Sequence, residues 1–152
     1  MLYKCALAGL RIYVGAIFAL AAIPKLTAGA AYPAMMTGFL TNVGLQNAHP
    51  FYRQILSGLI LPHAAAFAVL VVAAESGIAL ALITGTATRL AAVVAMFLST
   101  NYMFAKGLWW WNPSSNDGAF FMIALVLAIC AAGRTFGIDA VLAKRWPKSV
   151  VW

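Results

Sequence analysis

The chain is expected to be an all-α integral membrane protein: a four-helix bundle with short interfacial helices in its first extracytoplasmic connection. Three observations predict this. Of 152 residues, 64% are hydrophobic and only 9% are charged, where a soluble domain carries about 25% charged residues. Mean hydropathy is +0.93. Four separate apolar runs recur along the chain, and at about 1.5 Å per helical residue a run of twenty spans the ~30 Å hydrocarbon core of a bilayer. The length suits one such bundle over 1–152 and leaves no room for a second domain.

The first run, residues 5–24, follows Lys4 and superficially resembles a signal peptide. Arg11 interrupts its apolar core and no clean cleavage site precedes Pro24-Lys25, so it reads as a retained first span. Residues 27–62 form the longest connection. The stretch from Ala30 to Leu45 is moderately apolar, and His49-Pro50 breaks the chain before FYRQILSGLILP, which predicts one or two short interfacial helices and no full span. The second span, 64–83, reads AAAFAVLVVAAESGIALALI and stops at Thr84-Gly85-Thr86. The third span, 87–105, turns polar at Ser99, Thr100, Asn101 and Tyr102. It is followed by Trp109, Trp110 and Trp111, a block typical of an interfacial aromatic belt. Ser115, Asn116 or Asp117 is available to cap the fourth span, 118–132, and a basic tail closes the chain with an amphipathic turn from Ile138 to Ala143. Cys5 and Cys130 have no CxxC spacing and read as small apolar packing residues.

Lysine and arginine set the orientation. With both termini inside, the cytoplasmic face holds Lys4, Arg11, Arg89, Arg134, Lys144, Arg145 and Lys148, and the outer face holds Lys25, Arg53 and Lys106. This bias explains the +7 charge better than nucleic-acid binding does.

Only three acids exist: Glu75, Asp117 and Asp139. A carboxylate at the centre of a span costs about +2.5 to +3.5 kcal/mol on insertion scales, so Glu75 needs a partner, a proton or a task. Counted from the span centres, Arg11 matches its depth within one helical turn and is the expected partner, with Asp139 facing Arg89 at the cytoplasmic surface. The cluster of Arg11, Glu75, Arg89 and Asp139 is then either a buried pairing that fixes helix register or a proton-linked or anion-binding centre. A second constellation comprises Lys25, His63, Lys106, Asn116 and Asp117, facing an outer vestibule. It is either an interfacial histidine with helix caps, or a basic, aromatic-rimmed pocket for a small anion or a quinone headgroup. No GxGxxG, P-loop, HExxH, CxxCH or nucleophile elbow is present, and no metal site is expected.

Three stretches, RIYVGAIFALAAIPKL, AAESGIALALITGTATRLAA and NDGAFFMIALVLAICAAGRTFGIDAVLAKR, resemble the DoxX/DoxD family of small four-helix membrane proteins. The matching positions are Arg11, Gly15, Phe18, Lys25 and Leu26; then Glu75, Gly77, Thr88 and Arg89; then Asn116, Asp117, Gly137, Asp139 and Ala140. The long 27–62 connection and the stretch from Trp109 to Ser115 depart from that pattern. The resemblance implies a subunit of a membrane redox complex in the bacterial or archaeal cytoplasmic membrane. Such a subunit is accessory or quinone-interacting, has no covalent cofactor, and has the lipid bilayer and other membrane subunits as partners. The alternative it carries is a thiosulfate:quinone oxidoreductase-type subunit taking part directly in electron transfer.

Overall fold

The computed structural model describes residues 1–149 and 151, and every regular element among them is helical. Two helical runs are long and apolar enough to cross a membrane, Leu2–Asn47 and Pro50–Thr84. The first comprises α1 (Leu2–Ala28), a single 3₁₀ turn at Gly29–Ala31, α2 (Tyr32–Phe39), a π-helical turn at Leu40–Gly44 and the short α3 (Leu45–Asn47). The second comprises α4 (Pro50–Ile55), a π turn at Leu56–Ile60, a 3₁₀ turn at Leu61–His63 and α5 (Ala64–Thr84).

The two runs form one long antiparallel hairpin folded at Ala48-His49, where both residues are extended; His49 precedes Pro50, and a residue before proline is driven out of the helical region. Its register holds from end to end. A Cβ on Gly15 would touch Leu82 and Ile83, Lys25 meets Glu75, and a Cβ on Gly44 would touch Leu56. The two π turns therefore lie at the same level. Arg53 braces the tip by donating to the carbonyls of Gln46 and Ala48. Residues 27–62, expected to be a loop with short interfacial helices, are instead the upper half of this hairpin. The sequence signals for a break (Gly29, Gly44, Pro50, Pro62) change the helix type locally and interrupt the chain direction only once.

A second antiparallel pair follows: α6 (Thr88–Ala105) and α7 (Asp117–Ile129), joined by the tryptophan loop. α6 packs along α7 and against α5, and α1 also reaches α7. Helices α1, α5, α6 and α7 share a core of Val14, Phe18, Ile78, Leu82, Leu98, Leu127 and many alanines. The upper hairpin has its own cluster of Leu40, Tyr52, Leu56 and Ile60 against Ala105. At 13 residues, α7 is roughly 20 Å long and falls short of the expected fourth span. A final short helix, α8 (Asp139–Arg145), lies against the α5–α6 turn.

Sidedness is inverted relative to a water-soluble fold. Arg11, Glu75, Thr88, Ser99, Asp117 and Asp139 are buried, while Leu20, Val69, Leu70, Leu80, Phe97 and Ile129 are each more than 60% exposed. Large apolar side chains along whole helix faces, with charges tucked inside, fit an apolar surrounding. Cys5 and Cys130 are both exposed, so they do not serve as core packing.

Candidate functional site

The candidate site begins with Glu75, 1% exposed at the middle of α5. Its carboxylate is bound by the Lys25 ammonium from α1 and accepts a hydrogen bond from the Tyr102 hydroxyl of α6 at 2.7 Å. Three helices thus converge on one carboxylate through side chains alone. Lys25 lies between this network and a groove of about 370 Å³, lined by Tyr32 and Pro33 of α2 and by Ala68, Val69, Val72, Ala73 and Ser76 of α5. Its walls are apolar, and the polar groups concentrate at Lys25, Tyr32 and Ser76. The Ser76 hydroxyl is buried and unpartnered among the described residues. In the middle of a helix a serine usually bonds the carbonyl one turn back, so this unpaired hydroxyl, buried in the wall of the groove, departs from the usual pattern.

Arg11 does not pair with Glu75. The hairpin register puts it level with Gly85, 14 residues or roughly 21 Å from Lys25 along α1. The depth count from span centres assumed that α1 and α5 cover the same interval. Gly15, the middle of α1, instead packs at Leu82-Ile83 near the end of α5, and the first turns of α1 run on toward α7 and Ala132–Arg134. That stagger replaces Arg11 by Lys25.

Arg11 belongs to a separate, sealed cluster. Its Nη2 donates to the Phe136 carbonyl at 3.4 Å, while Nε and Nη1 are buried without hydrogen-bond partners among the described residues. Nearby, Asp139 accepts the backbone N–H of Ala87 at 2.7 Å and of Thr88 at 2.9 Å, capping α6. Ile138 N–H donates to the Thr84 carbonyl and Asp139 N–H to that of Gly85, so the start of α8 clasps the α5–α6 turn through four hydrogen bonds. Glycine makes the approach feasible. A Cβ on Gly85 would collide with Arg11, and one on Gly133 with Asp139 and Thr88. The expected Arg89–Asp139 pair is therefore absent: the carboxylate is consumed by the helix end, and Arg89 Nε donates to the Ala128 carbonyl at 3.2 Å.

The outer constellation also divides. Lys106 pairs with Asp117 at 2.6 Å, and Ser115 Oγ donates to the same carboxylate. Of the three capping candidates, Ser115 accepts the Asp117 N–H, while Asn116 is exposed and its side chain makes no cap. His63 is exposed and, among the described residues, bonds only the Leu59 carbonyl one turn back. Lys25 takes no part in these contacts and is held at Glu75. His49 is the histidine that is built in: its Nε2 lies 3.0 Å from the Leu108 carbonyl, and its ring packs 4.4 Å from that of Trp109, beside Phe51 and Phe104. Among the described residues no three His, Cys, Asp or Glu side chains come together.

Sequence reasoning missed Tyr32, Ser76 and Tyr102 as site residues. A signal existed for the last. Reflecting Glu75 through the turn at 84–88 lands near residue 97, and one turn beyond is a tyrosine long enough to reach back.

A protein-family model described as DoxX matches residues 6–106, which include Arg11, Lys25, Glu75, Arg89 and Tyr102 and end before Asp117 and Asp139. No curated protein and no solved structure matches the chain.

Proposed function

The chain belongs to the DoxX family, and from that premise we propose that it is a four-helix membrane subunit of a redox complex, accessory to a larger partner and in contact with quinone. The membrane half of the reading rests on the two long apolar runs and on the outward-facing leucines, valines and phenylalanines. In it, the end carrying Arg11, Arg89, Arg134, Lys144, Arg145 and Lys148 faces the cytoplasm of a bacterial or archaeal cell, by the positive-inside rule. The tryptophan end, with Arg53 and Lys106, faces out.

One observation carries the quinone half: a buried Lys25–Glu75–Tyr102 network directly behind a laterally open apolar groove. A ligand entering from lipid needs an apolar passage and a few polar groups at its end. The residues present fit a quinone headgroup, whose two carbonyl oxygens need donors. Lys25, Tyr32 and Ser76 line the groove and carry donor groups, the Ser76 hydroxyl lying buried in its wall. A bound quinone would supply two-electron redox chemistry that takes up two protons. Glu75 is bound by the Lys25 ammonium and accepts the Tyr102 hydrogen, so the network behind the groove keeps Lys25 oriented. Electrons come from the partner in this reading, and the chain supplies binding.

The test is purification in mild detergent from the native membrane, with mass spectrometry of co-purified proteins and lipid-soluble cofactors. Quinone retained by the wild type and lost in Lys25→Met and Ser76→Val supports the reading. Wild type free of both quinone and a stoichiometric partner would sink it.

A further inference from the structure

We infer that the outward face of α8 and its flanks is a docking surface for anionic phospholipid headgroups. Phe136 and Val141 are each 68% exposed and Ile138 is 47% exposed. Ile138 and Val141 are three residues apart and Arg145 follows four later, so they share one face of the helix. Lys144, Arg145 and Lys148 are exposed at its end, where the Arg145 guanidinium lies 5.2 Å over the Trp146 ring. An apolar stripe that ends in three cations matches the layering of an anionic leaflet, acyl chains beneath and phosphates above.

Two further observations show that this face is held for use. The opposite side of α8 is fixed by the Asp139 clasp, so the stripe cannot turn inward to bury itself. Phe136 adopts a φ of +53°, a conformation that residues with a Cβ rarely take, yet its ring gains no burial from it. Its carbonyl is tied down by Arg11. A strained backbone that projects an aromatic ring outward makes sense where something outside receives the ring.

Charge complementarity selects the occupant. The chain holds ten Lys and Arg against three acids, and the nearest of those acids, Asp139, is wholly buried. The surface therefore presents cations with no Asp or Glu side chain beside them.

The inference rests on the membrane reading above, and the test separates the two. The full chain is reconstituted into vesicles of phosphatidylcholine alone or mixed with phosphatidylglycerol, and association of spin-labelled phosphatidylglycerol and phosphatidylcholine is measured by electron spin resonance. Flotation of the vesicles first establishes incorporation, and failure there overturns the membrane reading itself. With the chain incorporated, a several-fold preference for phosphatidylglycerol is expected, weakening with salt and lost in Lys144→Gln/Arg145→Gln/Lys148→Gln. Arg53→Gln, at the other end, should keep it. Circular dichroism checks that both variants retain wild-type helix content. An incorporated wild type without lipid preference, or a preference that survives the triple substitution, overturns the inference.

Discussion

Two buried charged clusters lie along α1, and they are built on opposite plans. At Lys25–Glu75–Tyr102, side chains from three helices satisfy one another beside a groove, and Lys25 keeps partial exposure. At Arg11–Asp139, side chains satisfy the backbone: a carboxylate caps α6, a guanidinium holds the turn at Phe136, and glycines exclude everything else. The first arrangement leaves donors facing a space. The second uses up its carboxylate and closes the space. Burial of charge inside a helical protein is therefore not one signal but two, and what separates them is whether the partner is a side chain next to a cavity or a backbone end without one.

The sharpest way to break the contrast is to fill the sealed cluster. Gly85→Ala places a Cβ onto the Arg11 guanidinium at a position whose φ is +71°. Overpacking costs about 1–3 kcal/mol and a left-handed residue with a Cβ about 1–2 more. The expected loss is about 3–4 kcal/mol, read as early aggregation in a heating series followed by size-exclusion chromatography in detergent. Gly77→Ala is the control, since a Cβ there meets nothing within 4 Å. Equal behaviour of the two variants would show that the cluster is not closely packed.

At the open site the expected pattern is non-additive. Glu75→Gln strands the Lys25 ammonium and Lys25→Met strands the carboxylate, each costing about 3–5 kcal/mol when the remaining charge stays buried. Lys25 is partly exposed, so Lys25→Met should be the worse of the two, because it abandons the more deeply buried group. The double substitution should recover much of the loss, since no unpaired charge remains. Additive losses in the same heating assay would mean that the two groups do not function as a pair. Tyr102→Phe removes one hydrogen bond to a charged acceptor and should cost about 1.5–3 kcal/mol, with less effect on retained ligand than Lys25→Met.

The helical class, the buried status of Arg11 and Glu75, and the turn at Gly85 were legible in the sequence because composition and isolated charges in apolar runs are local signals. Partner choice was not, because it depends on stagger. A shift of about nine residues between the middles of α1 and α5 leaves each helix equally apolar and equally long, so hydropathy carries no trace of it. It exchanges Arg11 for Lys25 all the same. The upper hairpin was misread for a related reason. Glycine and proline at positions 29, 44, 50 and 62 are breakers by propensity, but 3₁₀ and π turns absorb three of them while the chain keeps its direction. Asp139 reads in the sequence as an acid facing an arginine, but the fold brings it to the free start of α6, 52 and 51 residues away along the chain, which supplies two N–H donors.

The smallest expected effect tests which histidine belongs to the molecule. His63, prominent in the sequence because it opens a long apolar run, is exposed and bonds only its own preceding turn. His63→Ala should stay within about 0.5 kcal/mol of wild type and leave ligand retention unchanged. His49→Ala removes a ring packed among Phe51, Phe104 and Trp109 and a bond to the Leu108 carbonyl, and should cost about 1–3 kcal/mol in the heating assay. The hairpin tip and the tryptophan loop touch here, where a Cβ on Gly107 would strike the Asn47 carbonyl. Loss of His49 should therefore loosen the outer end first, seen as faster proteolysis of the 106–116 loop. If His63→Ala is the more damaging substitution, the outer vestibule holds a role that its exposed, self-bonded geometry does not explain, and the groove at Lys25 loses its place as the single candidate.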